Sequence, residues 1–307
     1  MSWQVLSGTL ELGLMYAILV IGVYLTFRIL NYADLSVDGS FTLGAAIAAV
    51  LIFQGYNPWL ATFVAFLGGC LAGIFTGVLH TKFNISPLLS GILTMTALYS
   101  INLRIMGRPN ISLLGTRTII KDFENISIFE SHAVLILSII TVIFVGFIIY
   151  RFLLTEIGLA LRATGDNELM IRSQGVNTDI MKILGLSLSN GLVALAGSYV
   201  AQFQQFADVS MGIGIIIAGL ASVIIGEVLV GSSTVGRAVI AVICGAIFYR
   251  SIIAVVLQMG LVATDLKLFT AFIVILALVS PIIKNKFISH TYDVRGKGED
   301  KKNAECS

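Results

Sequence analysis

The chain has 307 residues, of which 57% are hydrophobic and only 12% charged, and its formal net charge at pH 7 is +2. A soluble globular domain carries about 25% charged residues, so this composition excludes that class, and the small net charge does not suggest a nucleic-acid partner. Several uncharged runs reach the roughly 20 residues that a helix needs to cross a bilayer. They do not alternate apolar and polar residues as the strands of a membrane barrel do. The sequence therefore predicts an all-α, polytopic transmembrane helical bundle.

Nine apolar segments follow one another along the chain, and we expect eight to ten spans. The segments are Leu10–Leu30, Gly39–Phe53, Trp59–Leu79, Ile85–Leu103, Ala133–Leu154, Met181–Phe203, Gly212–Val230, Ala238–Gln258 and Leu268–Ile283. The short Gly39–Phe53 and the glycine-flanked Gly212–Val230 are candidates for re-entrant or broken helices, since irregular backbone at membrane depth survives only inside protein or beside a water-filled cavity. Residues 1–290 are predicted to form one transmembrane domain, and the polar tail 291–307 is predicted to be disordered.

Lysine and arginine in the short loops predict the orientation, because cytoplasmic loops carry an excess of both. The segment after Ile283 is basic, so the C-terminus is predicted to be cytoplasmic in a plasma (inner) membrane. The basic loop 155–182 lies four spans earlier and falls on the same side. Arg104–His132 falls outside despite its four basic residues, which conflicts with the rule. The side of the N-terminus depends on whether Gly39–Phe53 crosses the membrane fully, and both possibilities stay open.

A short helix, Asp166–Gln174, is predicted inside the loop 155–182. Asp166 or Asn167 can cap its N-terminus, and Gly175 can adopt the left-handed conformation that ends a helix. Between these ends lie Glu168, Leu169, Met170 and Ile171, an acid of the first turn followed by an apolar patch. Two interpretations remain: a surface helix that completes a long connection, or a docking helix that inserts into a groove on a soluble partner. Helix physics alone favours the first.

A polar break separates the first two apolar segments. Its polar side chains are Asp34, Ser36, Asp38 and Ser40. Asp38 can cap the helix that begins at Gly39, and a helix N-terminus at membrane depth offers free N–H groups and a positive dipole to a substrate carboxylate. The break is therefore either part of a pathway across the membrane or a capped turn at its surface.

Arg250 lies near the middle of the predicted span Ala238–Gln258. A charge at that depth costs at least roughly 2.5–3.5 kcal/mol on insertion scales, so we expect a compensating role. Arg250 either faces the pathway and attracts a carboxylate or pairs with an acid, and the pair is favoured. The acids that could pair with it are Glu227, Asp265 and Glu11. No catalytic constellation, no metal-ligand spacing and no GxxxxGK[ST] phosphate-binding motif occurs in the sequence, so we predict no cofactor for the chain itself.

Two stretches resemble ABC importer permeases of the branched-chain amino acid and simple-sugar (ribose-type) family. The first is LRATGDNE (161–168) followed by GVN (175–177), which is similar to that family's coupling-helix region. The second is the polar break, where ADLSVDGSF (33–41) is closest to the branch linked with aromatic amino acid uptake. A later element, 218–236, is also similar, except that Glu227 stands where the family commonly has glycine.

The resemblance implies a transmembrane permease subunit of an ATP-driven importer, which forms the pore for a small polar solute. An amino acid is expected first, with a nucleoside or simple sugar as the alternative. The implied partners are cytoplasmic ATPase subunits docked on Asp166–Gln174, an extracellular substrate-binding protein and a second copy of the chain. The ATPases would hydrolyse ATP, so the chain itself would not be an enzyme. An ion-coupled secondary transporter is the alternative of another class, but it would bury several ionisable groups, and only Arg250 lies deep within a predicted span.

Overall fold

The computed structural model describes residues 3–124 and 133–258, together with positions 268, 271, 272 and 275. Most of the predicted span Leu268–Ile283, the acid Asp265 and the tail 291–307 lie outside the described residues. The chain divides into two units, Met1–Gly260 and Leu261–Ser307. The helices, strands and cavities described for this chain belong to the first unit.

The described residues of this unit form eleven α-helices, one π-helix and two short strands. In chain order they are α1 (Trp3–Tyr24), the π-helix (Leu25–Ile29), α2 (Val37–Phe53), α3 (Pro58–Thr81), α4 (Pro87–Met106), β1 (Asn110–Ser112), α5 (Ile119–Glu124), α6 (Ala133–Leu153), α7 (Glu156–Asp166), α8 (Glu168–Ser173), α9 (Thr178–Gln204), β2 (Phe206–Asp208), α10 (Ile215–Val230) and α11 (Val235–Gln258). The strands pair antiparallel, with Asn110 opposite Asp208. The predicted helical fold class is confirmed.

Six helices among the described residues are long and apolar enough to cross a membrane. They are α1 with the π-helix, α3, α4, α6, α9 and α11. The two remaining apolar helices, α2 and α10, have only 17 and 16 residues, and they correspond to the two segments predicted as re-entrant or broken. Because one further predicted span lies mostly outside the described residues, the total of eight to ten spans stays a prediction.

Glycines allow α2 and α3 to pack closely against α9, the helix at the centre of the bundle. A Cβ added at Gly44 of α2 would lie 1.9 Å from the carbonyl oxygen of Ala194, and one added at Gly73 of α3 would lie 2.2 Å from that of Leu186. No side chain fits at such distances. Small residues bring helix backbones together in lipid, where van der Waals contact replaces the hydrophobic effect as the main attraction.

Candidate functional site

Asp34 is the buried centre of the polar break between the π-helix and α2. Its side chain is sealed in the protein, with a residue exposure of 2%. The carboxylate accepts hydrogen bonds from the backbone N–H of Ser36 at 2.9 Å, from the Ser36 hydroxyl at 2.5 Å and from Nδ2 of Asn190 at 2.8 Å. Asp34 and Ser36 therefore join the start of α2 to α9, and in this structure they do not line an open pathway.

The break lies at membrane depth. Asn190, the amide partner of Asp34, sits near the middle of the 27-residue α9. It also lies beside Gly69, near the middle of the 24-residue α3, where an added Cβ would come within 2.4 Å of the Asn190 carbonyl oxygen. Because both α3 and α9 are long enough to span, the break is level with the interior of the bilayer. This depth favours the interpretation of the break as part of a pathway over that of a capped turn at the membrane surface.

Asp38 caps a different helix from the one predicted. It is the second residue of α2, whose N-cap position is Ser36. The Asp38 carboxylate instead accepts the backbone N–H groups of Gly214, at 2.8 Å, and Ile216, at 2.9 Å. These N–H groups belong to the first turn of α10, which has no intrahelical partner for them. Asp38 therefore occupies the positive end of α10, where sequence reasoning had no means of finding it.

Of the two helix N-termini at the break, that of α10 is satisfied by one of the chain's own acids, whereas the N-cap residue of α2 makes no side-chain capping bond. Asp34 accepts the N–H of Ser36 at the start of α2, and Asp38 accepts those at the start of α10. In this conformation the N-terminus of α10 is therefore occupied by Asp38, and the attraction of a substrate carboxylate to the start of α2 stays a prediction.

Asp38 also lines a cavity of about 210 Å³ between α2, α4 and the segment before α10. The residues around it are Asp38, Gly39, Thr42, Met95, Thr96, Tyr99, Asn102, Val209 and Ile213. Of the other predicted pathway residues, Ser40 is fully buried, and its hydroxyl has no hydrogen-bond partner among the described residues. Asp34, Ser36 and Ser40 thus lie behind this cavity, whereas Asp38 lies at its wall.

Sequence reasoning missed the contribution of α4 to this cavity. Thr96, Tyr99 and Asn102 follow one another at spacings of three, so they lie along one side of the helix. α4 is also the least apolar and the least buried of the six long helices. Polar side chains at helical spacing in a weakly apolar span were the signal that could have identified it.

Arg250 lies in a separate cavity. Its guanidinium stacks on the ring of Tyr16, 3.5 Å from the centroid, a cation–π contact that partly compensates the charge. The surrounding cavity, of about 410 Å³, is lined mainly by apolar residues of α1 and α11 and shares no residue with the cavity at Asp38. Of the three acids that could pair with Arg250, Glu227 pairs instead with Arg28 of the π-helix, Nε to Oε1, at 2.8 Å, and Asp265 lies outside the described residues.

The loop 155–182 contains two helices rather than one. The first is α7, which was not predicted; Asp166 ends it and does not cap α8. Asn167 is the cap: its Oδ1 accepts the N–H of Met170 at 3.0 Å. α8 has six residues and is shorter than the predicted Asp166–Gln174. Gly175 is left-handed, with φ of +88°, as predicted.

Only part of the predicted apolar patch on α8 is accessible. Leu169 and Met170 are 80% and 58% exposed, whereas Ile171 is 8% exposed and packs inward. Ile171 is therefore an anchor and not a contact residue. The two exposed side chains project from a helix too short to be stable alone, so its attachment to the bundle decides whether it is rigid.

Charged groups attach α8 to the start of α9. Glu168 accepts from Nζ of Lys182 at 2.7 Å and from the hydroxyl of Thr178 at 3.1 Å. The hydrogen bond from Lys182 holds the pKa of the Glu168 carboxyl below its usual range. Arg172 lies 3.5 Å from Asp179 in a second ion pair. These contacts join α8 to the first turns of α9.

α7 connects α8 to the π-helix that follows α1. A Cβ added at Gly165 would lie 1.9 Å from the Ile29 carbonyl oxygen, so α7 packs directly on the π-helix. Arg28, Glu227 and Asp166 line one polar cavity of about 430 Å³ at this end of the bundle. π-helical turns inside α-helices are often found at functional sites.

Comparison with known proteins agrees with this architecture. Residues 5–279 match a family model described as the branched-chain amino acid transport system / permease component. The chain is 45% identical over 268 residues to the tyrosine transport system permease protein of Clostridioides difficile (strain R20291), covering 87% of this chain and 88% of that protein. It is 28% identical over 264 residues to the autoinducer 2 import system permease protein LsrC of Escherichia coli O9:H4 (strain HS), covering 86% and 75%. A solved ABC transporter in an inward-facing conformation covers 91% of this chain and 84% of its own, at 18% identity and a TM-score of 0.48, which is too low to support an argument.

Proposed function

Because the chain belongs to the family of branched-chain amino acid transport permease components, we propose that it forms the pore of an ATP-driven importer that takes up an amino acid. The chain is a multi-pass membrane protein. ATP hydrolysis is assigned to separate ATPase chains that dock on α8, with the basic loop 155–182 and the C-terminus in the cytoplasm. An extracellular binding protein delivers the solute, and two copies of the chain form the pore.

The exposed pair Leu169 and Met170 is the observation that carries the docking assignment. An apolar tip on a short helix is costly to leave in water, and it suits a groove on a soluble partner. The ion pairs of Glu168 and Arg172 hold α8 against α9. A force applied to Leu169 and Met170 is therefore passed on to α9. A flexible surface loop would need none of these contacts.

Amino acid uptake is supported by the name of the 45%-identical relative, a tyrosine transport system permease. The more distant LsrC, an autoinducer 2 permease, keeps a sugar-like solute as the alternative. The ion-coupled alternative is weakened by the structure: Asp34 and Asp38, the acids at the break, are engaged by serine, asparagine and backbone donors in this structure. Within the part of the chain that the structure describes, neither is hydrogen-bonded to a second titratable side chain that could relay a proton.

Closure of the ATPases would move α8 and the base of α9 together. Asn190 lies on the same rigid helix and is bonded to Asp34, so that movement acts on the start of α2 at membrane depth. α7 acts in parallel through its contact with the π-helix at the end of α1. Packed helices change between discrete arrangements and do not deform continuously, so both contacts can pass movement on to the pathway.

Co-purification with a co-expressed ABC-type ATPase subunit tests the docking assignment. We expect the double variant Leu169→Asp, Met170→Asp to insert normally and to lose at least ten-fold in recovered ATPase. The matched control is Leu114→Asp, which places the same change on a 75% exposed leucine beyond β1, at the other end of the bundle. Full recovery of ATPase by the double variant would reject α8 as the docking helix. Ile171 is left unchanged because its substitution would disturb the anchor.

A further inference from the structure

The cavity at Asp38 presents hydrogen-bond acceptors. Each Asp38 oxygen accepts one backbone N–H of α10, and a carboxylate has about four acceptor sites in all, so capacity remains on both. The hydroxyl hydrogens of Thr42 and Thr96 are already donated to backbone carbonyls in their own helices. What these two side chains can offer to the cavity is oxygen lone pairs.

Asn102 adds an unused acceptor at the same place. The residue is 1% exposed, and its Nδ2 donates to the carbonyl oxygen of Gly39 at 3.2 Å. That bond fixes the orientation of the amide, because the reverse orientation would set two oxygens against each other. Oδ1 then has no hydrogen-bond partner among the described residues. A buried acceptor left unpaired costs about 1–3 kcal/mol, a cost that a bound donor would remove.

The charge of the cavity has one sign. None of its nine lining residues is basic, and Asp38 is the one acid among them. The N-terminus of α10 compensates only about half an elementary charge. An ammonium group would be favoured here, and a carboxylate would be repelled by Asp38 and find the α10 N–H groups already taken.

The remaining walls are apolar. Met95, Val209, Ile213 and the ring of Tyr99 surround the polar groups. A site of this kind binds an apolar body and orients it through a few polar contacts. With about 210 Å³ the cavity is smaller than the usual range of roughly 300–1,000 Å³, which suits one small molecule and not an oligosaccharide.

We infer that this cavity is a subsite for the amino group of the transported solute, an α-amino acid with a large apolar or aromatic side chain. The inference rests on the proposed function and adds the orientation of the solute: its ammonium group faces Asp38 and Asn102, and its side chain lies against Tyr99 and Met95. The solute carboxylate is directed away from the break.

Protection of an engineered cysteine tests this subsite in the full chain bound to its ATPase. In a background with Cys70, Cys244 and Cys306 replaced by alanine, Thr96→Cys is reacted with a water-soluble maleimide. L-phenylalanine, phenethylamine and N-acetyl-L-phenylalanine are compared at equal millimolar concentration. We expect the first two to slow the reaction at least three-fold, because both carry the ammonium group, and the N-acetyl compound to leave the rate unchanged.

Two variants locate the effect. Asn102→Leu and Asp38→Asn should each reduce protection by phenethylamine at least three-fold, and either one suffices if the other does not fold. Stronger protection by N-acetyl-L-phenylalanine, equal protection by sodium ions alone, or a Thr96→Cys thiol that does not react at all would overturn the inference. Absence of protection in a complex that retains its ATPase would reject the subsite and leave the importer intact. Failure of the unmodified chain to recover the ATPase in the docking experiment would instead reject the proposed function.

Discussion

The mid-membrane break and the cytoplasmic helix α8 both depend on acids, but the two regions use them in opposite surroundings. Asp34 is sealed between α2 and α9 and is satisfied by neutral donors at 2.5–2.9 Å. Glu168 stands at the edge of the bundle and is paired with a lysine at 2.7 Å. A buried carboxylate that loses its partners has no water to replace them, whereas a surface pair is replaced by water and ions. Substitutions at the break should therefore lower the free energy of unfolding strongly, whereas substitutions in the ion pairs of α8 should lower it little.

Replacing Asp34 should produce the largest loss of stability. Asp34→Leu removes the acceptor of the Ser36 N–H and one of the two acceptors of the Asn190 amide, at about 1–3 kcal/mol for each group that stays unpaired. The Ser36 hydroxyl can still donate to Oδ1 of Asn190. We expect a loss of at least about 2 kcal/mol in the free energy of unfolding, measured by reversible denaturation in detergent. Asp38→Leu is the comparison, and it should cost less because its two orphaned N–H groups adjoin a cavity. Equal losses in the free energy of unfolding for the two variants would contradict the distinction between Asp34, sealed in the protein, and Asp38, beside a cavity.

A methyl group between α2 and α9 should have the next largest effect. Gly44→Ala forces a Cβ against the Ala194 carbonyl oxygen, 1.9 Å away before relaxation, so the helices must separate. Overpacking of this kind costs about 1–3 kcal/mol, and thermal unfolding should report it. Gly8→Ala is the matched control, because a Cβ there meets nothing within 4 Å. A Gly44→Ala protein as stable as the Gly8→Ala protein would contradict the close packing that positions the break.

Much of the fold could be predicted because apolar length alone marks the spans. The ends of α2, α3, α4, α6, α9, α10 and α11 lie within a few residues of the predicted segments. α7 was missed because Gly158 and Gly165 interrupt its pattern and resemble a loop. In the structure these glycines are sites of close backbone contact, Gly165 with the π-helix among them.

The site was predicted less well, since its partners are set by tertiary contacts. That Asp38 is a helix cap could be read from the sequence, but not that the helix is α10, about 176 residues further along. Likewise, the three apolar residues of α8 look equivalent in sequence, and only the packing against α9 distinguishes the buried Ile171 from its two exposed neighbours.

Weakening the attachment of α8 should have the smallest effect. Glu168→Gln should cost less than about 1 kcal/mol, as expected for an exposed pair, and the cost should shrink further at high salt. Because the pKa of Glu168 is lowered in the folded protein, its stabilisation is present above the ordinary pKa of glutamate and is lost as the pH falls through the lowered value.

Hydrogen exchange of the α8 amides, corrected for the intrinsic pH dependence, measures this local opening. Protection should decrease on acidification in the native chain and depend less on pH in Glu168→Gln. An undiminished pH dependence in that variant would assign the effect to another group.

We propose that this chain is the pore of an importer driven through α8 by a partner ATPase. ATP-dependent uptake of radiolabelled L-tyrosine into proteoliposomes, by the chain reconstituted with its ATPase and binding protein, tests it most directly. We expect uptake to require ATP on the ATPase side, to persist without an ion gradient, and to fall at least ten-fold in Leu169→Asp, Met170→Asp. Uptake by the chain alone, driven by a proton or sodium gradient and unaffected by that double variant, would contradict the account.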